Sequence, residues 1–136
     1  TGKILSVAGT PMDFREMQPV TARIAENDVQ LVRGNGYDHN WIINGDGMRK
    51  CAEALSETTG IYMETWTDQP GMQFYTANYL TPEKKGKYGS GYHPRGAFCF
   101  ETQGFPNATA FEHFPTPVLH VNEVYERKTI FRFRII

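Results

Sequence analysis

A chain of 136 residues, 40% apolar and 21% charged, can bury about two-thirds of its unfolded surface as one domain and is too apolar to stay disordered. Its formal net charge of -1 provides no positive field to gather phosphates, so neither nucleic acid nor a membrane surface is expected as a partner. No apolar run approaches the roughly 20 residues that span a bilayer, and no basic segment followed by an apolar one opens the chain. Thr1 in place of an initiating Met is expected of a piece of a longer polypeptide, from which a targeting signal can be lost. The compartment stays open, with the cytoplasm favoured.

Short runs rich in Ile, Val, Tyr, Phe, Trp and Thr, separated by Gly, Pro, Asn and Asp clusters, predict an antiparallel all-β protein. In chain order the candidate strands are 4–7, 28–32, 37–43, 49–55, 61–67, 72–75 and 96–101. Short helical turns are expected only near 14–17 and 108–113. Asn44-Gly45-Asp46-Gly47 is a tight-turn signal linking two strands, because Asn and Gly tolerate positive φ. The stretch 81–92, with Lys84, Lys85 and Lys87 among glycines, has no periodicity and reads as an exposed loop. The last strand, 129–136, is the clearest. Thr129, Phe131, Phe133 and Ile135 alternate with Ile130, Arg132, Arg134 and Ile136, which predicts a half-buried strand. With no repeat and no linker, the roughly eight strands form one domain over 1–136, a β-sandwich.

Cys51 and Cys99 lie far apart and match no metal-ligand spacing, so both read as reduced packing residues. His39, His93, His113 and His120 show no zinc-helix pairing and are expected in structural or surface roles, with no metal. Gly34-Asn35-Gly36 lacks the third glycine and the helix of a dinucleotide loop and reads as a turn.

Chemistry concentrates in three places. In Arg95-Gly96-Ala97-Phe98-Cys99-Phe100-Glu101-Thr102-Gln103, alternation puts Phe98 and Phe100 on one face and Ala97, Cys99 and Glu101 on the other. Glu101 then stands beside small side chains, with room for a ligand and apolar walls to shelter a proton-transferring carboxylate. The same pattern equally describes a carboxylate in an ion pair with Arg95 or another arginine, and taken alone it points first to that pair. Gly36-Tyr37-Asp38-His39-Asn40-Trp41 and Gln69-Pro70-Gly71-Met72-Gln73-Phe74-Tyr75 mix hydrogen-bonding groups with aromatics. That composition suits a sugar, whose hydroxyls pair with carboxylates and amides while rings cover its C–H faces. Gln73 shares a strand face with Tyr75 and can point toward the cleft of Glu101. On composition alone, Asp38 capping a turn and Gln73 lying on the surface is the plainer reading.

In order and spacing, these pieces resemble the C-terminal half of the aldose 1-epimerases (galactose mutarotases). The likeness runs through Gly9-Thr10-Pro11-Met12-Asp13-Phe14-Arg15, Gly36-Tyr37-Asp38-His39-Asn40, Pro70-Gly71-Met72-Gln73-Phe74-Tyr75-Thr76-Ala77-Asn78, Arg95, Glu101-Thr102-Gln103 and Phe105-Pro106. Phe114-Pro115, Leu119, Glu123, Tyr125, Thr129 and Phe131 carry it nearly to the end. The resemblance implies half of a large antiparallel β-sandwich enzyme that interconverts α and β anomers of hexoses such as galactose and glucose, without a cofactor. It implies Glu101 as the general base on the anomeric hydroxyl, with Asp38 and Gln73 binding sugar hydroxyls. The family's acid histidine lies in an N-terminal half that this sequence does not contain, and none of the four histidines stands in its motif. Val121-Asn122 in place of the usual Pro-Gly, and Asn107 in place of a common Asp, are turn changes that leave Glu101 untouched.

Three functions follow as expectations. The chain is part of a mutarotase, inactive until an N-terminal half or a complementary chain supplies the acid. Alternatively it is a non-catalytic carbohydrate-binding or regulatory module of the same fold. An epimerase of phosphorylated sugars is the third reading, for which only Arg95 is near enough in sequence to hold phosphate.

Overall fold

The alternating runs resolve into six strands in a computed structural model that describes residues 1–136. They are β1 (Asp38–Ile42), β2 (Arg49–Leu55), β3 (Ile61–Thr67), β4 (Gly71–Tyr75), β5 (Cys99–Gln103) and β6 (Thr129–Ile135). One helix, α1 (Val29–Gly34), and two short 3-10 turns, Lys87–Gly89 and Ala108–Ala110, complete the regular structure. The fold is of the all-β, antiparallel class that the strand pattern predicts. Its strands form two sheets of three, ordered β1-β4-β5 and β2-β3-β6. β1 and β4 run antiparallel, with Ile43 N–H donating to Pro70 O at 2.9 Å and Thr76 N–H to Tyr37 O at 3.0 Å. β3 pairs antiparallel with both β2 and β6.

The chain divides into two compact units. The first, made of Thr1–Ile4, Asn40–Met72 and Thr102–Ile136, holds the whole of the β2-β3-β6 sheet. Its connections are fastened by Arg49, whose guanidinium donates to five carbonyls. Nε reaches Asn44 O, Nη1 reaches Gly47 O and Thr67 O, and Nη2 reaches Ile43 O and Gln69 O, all between 2.8 and 3.3 Å. The turn at Asn44-Gly45-Asp46-Gly47 does link two strands, and Gly45 and Gly47 adopt φ of 81° and 63°. It joins β1 to β2 in different sheets, so it is a crossover rather than a hairpin.

The second unit, Leu5–His39 and Gln73–Glu101, is built on an aromatic cluster. Phe74 packs against Phe14, Tyr37, Phe98 and Phe100, with ring centroids between 5.3 and 6.1 Å. Tyr37 is fully buried and its hydroxyl donates to Pro11 O at 3.0 Å.

Several expectations are corrected. Segment 28–32 is not a strand but the start of α1. Asp28 caps it by accepting from Gln30 N at 2.8 Å, and Asn35 closes it in the left-handed region. With six residues and only Leu31 buried, the apolar alternation is too short to tell strand from helix. Segment 4–7 forms no strand; Ile4 and Leu5 are exposed and Val7 enters a turn closed by Thr10 N. No helix forms at 14–17, where Arg15 instead grips Asp13 through Nε and Nη2 at 2.8 and 2.7 Å. At 108–113 only Ala108–Ala110 is helical. β5 begins at Cys99 rather than at 96, because Arg95 takes a positive φ of 61° and Gly96 N–H closes a turn onto His93 O. β6 is not half-buried: Phe131, Phe133 and Ile135 are all exposed.

Candidate functional site

The second unit fixes which face of β1, β4 and β5 is free for chemistry. Phe74, Phe100 and Tyr37 turn to the aromatic cluster. Strand alternation therefore turns Asp38, Gln73 and Glu101, each one residue away, to the opposite face. Cys99, two residues before Glu101, shares that face. Burial first, and the charge of Glu101 second, push its thiol above the usual range.

Asp38 and Gln73 meet directly. Gln73 Nε2 donates to Asp38 Oδ1 at 2.7 Å across β1 and β4. Asp38 therefore caps no turn, and Gln73 is not a surface side chain but a half-buried one. The pair leaves Asp38 Oδ2, Gln73 Oε1 and the second Nε2 hydrogen available to a ligand. Tyr75, on the same face as Gln73, stacks on Tyr79 with centroids 6.4 Å apart and an interplanar angle of 16°.

A buried polar knot holds the entry to β1. Asn78, 4% exposed, donates through Nδ2 to Gly34 O at 3.1 Å and Tyr37 O at 2.9 Å. Its Oδ1 accepts from Thr76 Oγ1 at 2.7 Å. Gly36 must be glycine there: its φ is 126° and a Cβ would lie 2.4 Å from Asn78 Oδ1. The backbone before Asp38 is thus fixed by side-chain hydrogen bonds with no slack for a methyl group.

Glu101 differs from its neighbours. It is exposed, so the apolar shelter expected for it is absent, and it makes no hydrogen bond or ion pair. Arg95 does not pair with it; its Nη2 donates to Asn35 O at 3.4 Å. The carboxylate therefore stands unpaired on the strand face that carries the Asp38–Gln73 hydrogen bond.

The histidines stand elsewhere. His39 turns its ring back on its own strand, where Nδ1 accepts from the backbone N–H of Asp38 at 3.0 Å. Burial lowers its pKa, against the raising effect of the Asp38 charge. His93, His113 and His120 are exposed. No three His, Cys, Asp or Glu side chains gather as a metal site, and no helix is long and apolar enough to cross a membrane. Both cysteines are unpaired; Cys51 is part-buried, but Cys99 is exposed and so is not the packing residue expected.

Sequence reading missed the Tyr75–Tyr79 stack and the role of Asn78. The stack carried a signal, two tyrosines after Gln73, but their ring approach depends on the turn at Ala77, a non-glycine residue at φ 52°.

Comparison with known proteins adds lineage to this geometry. The sequence profile described as aldose 1-epimerase matches residues 1–132. Galactose mutarotase of Bos taurus is 39% identical over 136 residues, covering 99% of this chain and 38% of its own length. The Homo sapiens galactose mutarotase is 38% identical with the same coverage. Aldose 1-epimerase of Escherichia coli is 29% identical over 135 residues, 94% of this chain and 38% of its own length. The chain thus spans about two-fifths of the length of these curated relatives.

Proposed function

The chain belongs to the aldose 1-epimerase family, and from that membership we propose that it carries the base and part of the sugar-binding surface of a mutarotase acting on hexoses such as galactose or glucose. Glu101 takes the proton of the anomeric hydroxyl. A histidine in a complementary N-terminal half protonates the ring oxygen, the bond from that oxygen to the anomeric carbon breaks, and rotation followed by closure gives the other anomer. Asp38 and Gln73 hold sugar hydroxyls through the oxygens that their mutual hydrogen bond leaves free. No cofactor takes part.

One observation carries the reading: the Glu101 carboxylate is unpaired on the strand face that bears the Asp38–Gln73 hydrogen bond. A structural carboxylate would be matched to a cation, and Arg95 is close in sequence but engaged elsewhere. The chain alone is expected to be nearly inactive, because general acid catalysis is worth about 10²- to 10⁴-fold and the chain supplies no acid at this face. Polarimetry on fresh α-galactose tests this. Slow mutarotation by the chain alone, made fast by an added N-terminal half and lost in Glu101→Gln, is the expected result. Fast mutarotation by the isolated chain, abolished by Glu101→Gln, overturns the need for a second half.

A second reading is a carbohydrate-binding module without chemistry, which the preformed Asp38–Gln73 pair favours. Saturable sugar binding with no rate gain after the N-terminal half is added selects it.

A further inference from the structure

Within the first unit, two amide side chains meet over a residue that has no side chain. Asn40 stands on β1 and Gln103 on β5, the strands on either side of β4. Neighbouring strands lie about 4.8 Å apart, so a bond between the outer two has to pass over the middle one. Gln103 Nε2 does so, donating to Asn40 Oδ1 at 3.1 Å. Gly71 of β4 makes the room. A Cβ there would lie 2.6 Å from Asn40 Oδ1, 3.0 Å from Asn40 Nδ2 and 3.0 Å from Phe105 Cδ1. The φ of Gly71 is not positive, so glycine serves here for space and not for backbone conformation.

The bond leaves much of the pair's capacity unused. Asn40 Nδ2 and Gln103 Oε1 have no hydrogen-bond partner in the chain, and neither is buried, since the Thr65 hydroxyl is the one unpartnered side-chain polar atom that is. Exchanging N and O in both amides leaves the same balance, one bond made and one NH₂ group and one carbonyl oxygen free. Phe105, half-buried and met edge-on by Phe114 with ring centroids 5.1 Å apart, supplies an apolar wall beside Gly71. None of Asn40, Gly71, Gln103 and Phe105 carries a charge.

We propose that Asn40 and Gln103, with Phe105 beside them, form a binding site for a neutral sugar ring. One hydroxyl donates to Gln103 Oε1, a neighbouring hydroxyl accepts from Asn40 Nδ2, and C–H groups of the ring rest on Phe105. A free donor and a free acceptor side by side suit hydroxyls, which are both, better than an ion of either sign, and the aromatic wall favours the C–H face of a ring. These residues include no acid or base, so the site binds without reacting. It shares no residue with the Asp38–Gln73 pair and does not depend on Glu101 acting as a base.

The test is to titrate the isotope-labelled chain with methyl β-galactoside and to follow the side-chain amide resonances of Asn40 and Gln103 by NMR. Saturable shifts of both are expected, and Asp38→Ala should keep them. Gln103→Ala should weaken binding about tenfold, read from Asn40. Phe105→Leu, which keeps every hydrogen-bonding group, should weaken it about threefold. Both variants should keep the wild-type backbone spectrum away from the substitution. Absence of shifts at both amides overturns the site, as does an affinity unchanged in both variants. Shifts that glycerol reproduces at the same concentration overturn the choice of a sugar ring. Shifts abolished by Asp38→Ala but kept in Gln103→Ala place the sugar elsewhere and also overturn it. The methyl group blocks ring opening, so none of these outcomes turns on the mutarotase reading.

Discussion

Thr65 and Asn78 are two buried polar residues with opposite accounts. The Thr65 hydroxyl has no partner, whereas Asn78 satisfies two carbonyls and one hydroxyl. Leaving a buried polar group unpaired costs about 1–3 kcal/mol. Thr65→Val should therefore raise stability by about 1 kcal/mol, and Asn78→Ala should lower it by about 2–3 kcal/mol. Urea midpoints of the two variants check both signs. Asn78→Ala also frees the backbone before Asp38, so a weaker Asp38–Gln73 hydrogen bond should accompany the loss. At this scale the sequence was partly legible. Alternation alone assigned Glu101 to the face opposite Phe98 and Phe100. It could not show that Asp38 and Gln73, 35 residues apart, share a hydrogen bond, nor that Arg95 turns to Asn35, because both depend on strand order and loop path.

Elements were legible in proportion to their length and to the contrast between their faces. β2 and β3, seven residues each, stand where their alternation places them. α1, at six residues, reads as a strand because Val29, Leu31 and Val32 fit either period, and only its caps at Asp28 and Asn35 distinguish the two. β6 has the expected pattern and the wrong environment: alternation reports that a face is apolar, not that anything covers it. Turns depended on residues outside them. Asn44-Gly45-Asp46-Gly47 has the composition of a hairpin, but Arg49 gathers its carbonyls together with those of Thr67 and Gln69, so the turn belongs to a crossover. Arg49→Lys should cost about 2 kcal/mol or more, since a single ammonium with three donors cannot serve five carbonyls. Faster amide exchange at Gly45 and Gly47 is the local readout, and an unchanged urea midpoint would show that the clasp contributes nothing.

For the whole molecule, acid acts on both units, in the first through Glu53, whose carboxyl the Lys50 and Tyr62 hydrogen bonds hold below the usual range. In the second unit, burial holds the His39 pKa below the ordinary value of about 6.5. The unfolded chain then takes up a proton before the folded chain does. The associated stability is whole above about pH 6.5 and declines as pH falls from there toward the folded value. Asp13, held at about 2 by its hydrogen bonds from Arg15, acts in the same direction only below about pH 3.8. Its partner Arg15 is exposed to solvent, so its share is small. Urea unfolding at pH 7.5 and 5.5 should show a loss that His39→Gln reduces, and a loss identical in wild type and His39→Gln would remove the assignment. Arg49 in the first unit answers to none of this. Its partners are carbonyl oxygens, which carry no titratable proton, so acid that strips salt bridges elsewhere leaves this clasp closed. The loops it fastens are expected to stay closed in acid that releases the Lys50–Glu53 pair of the same sheet.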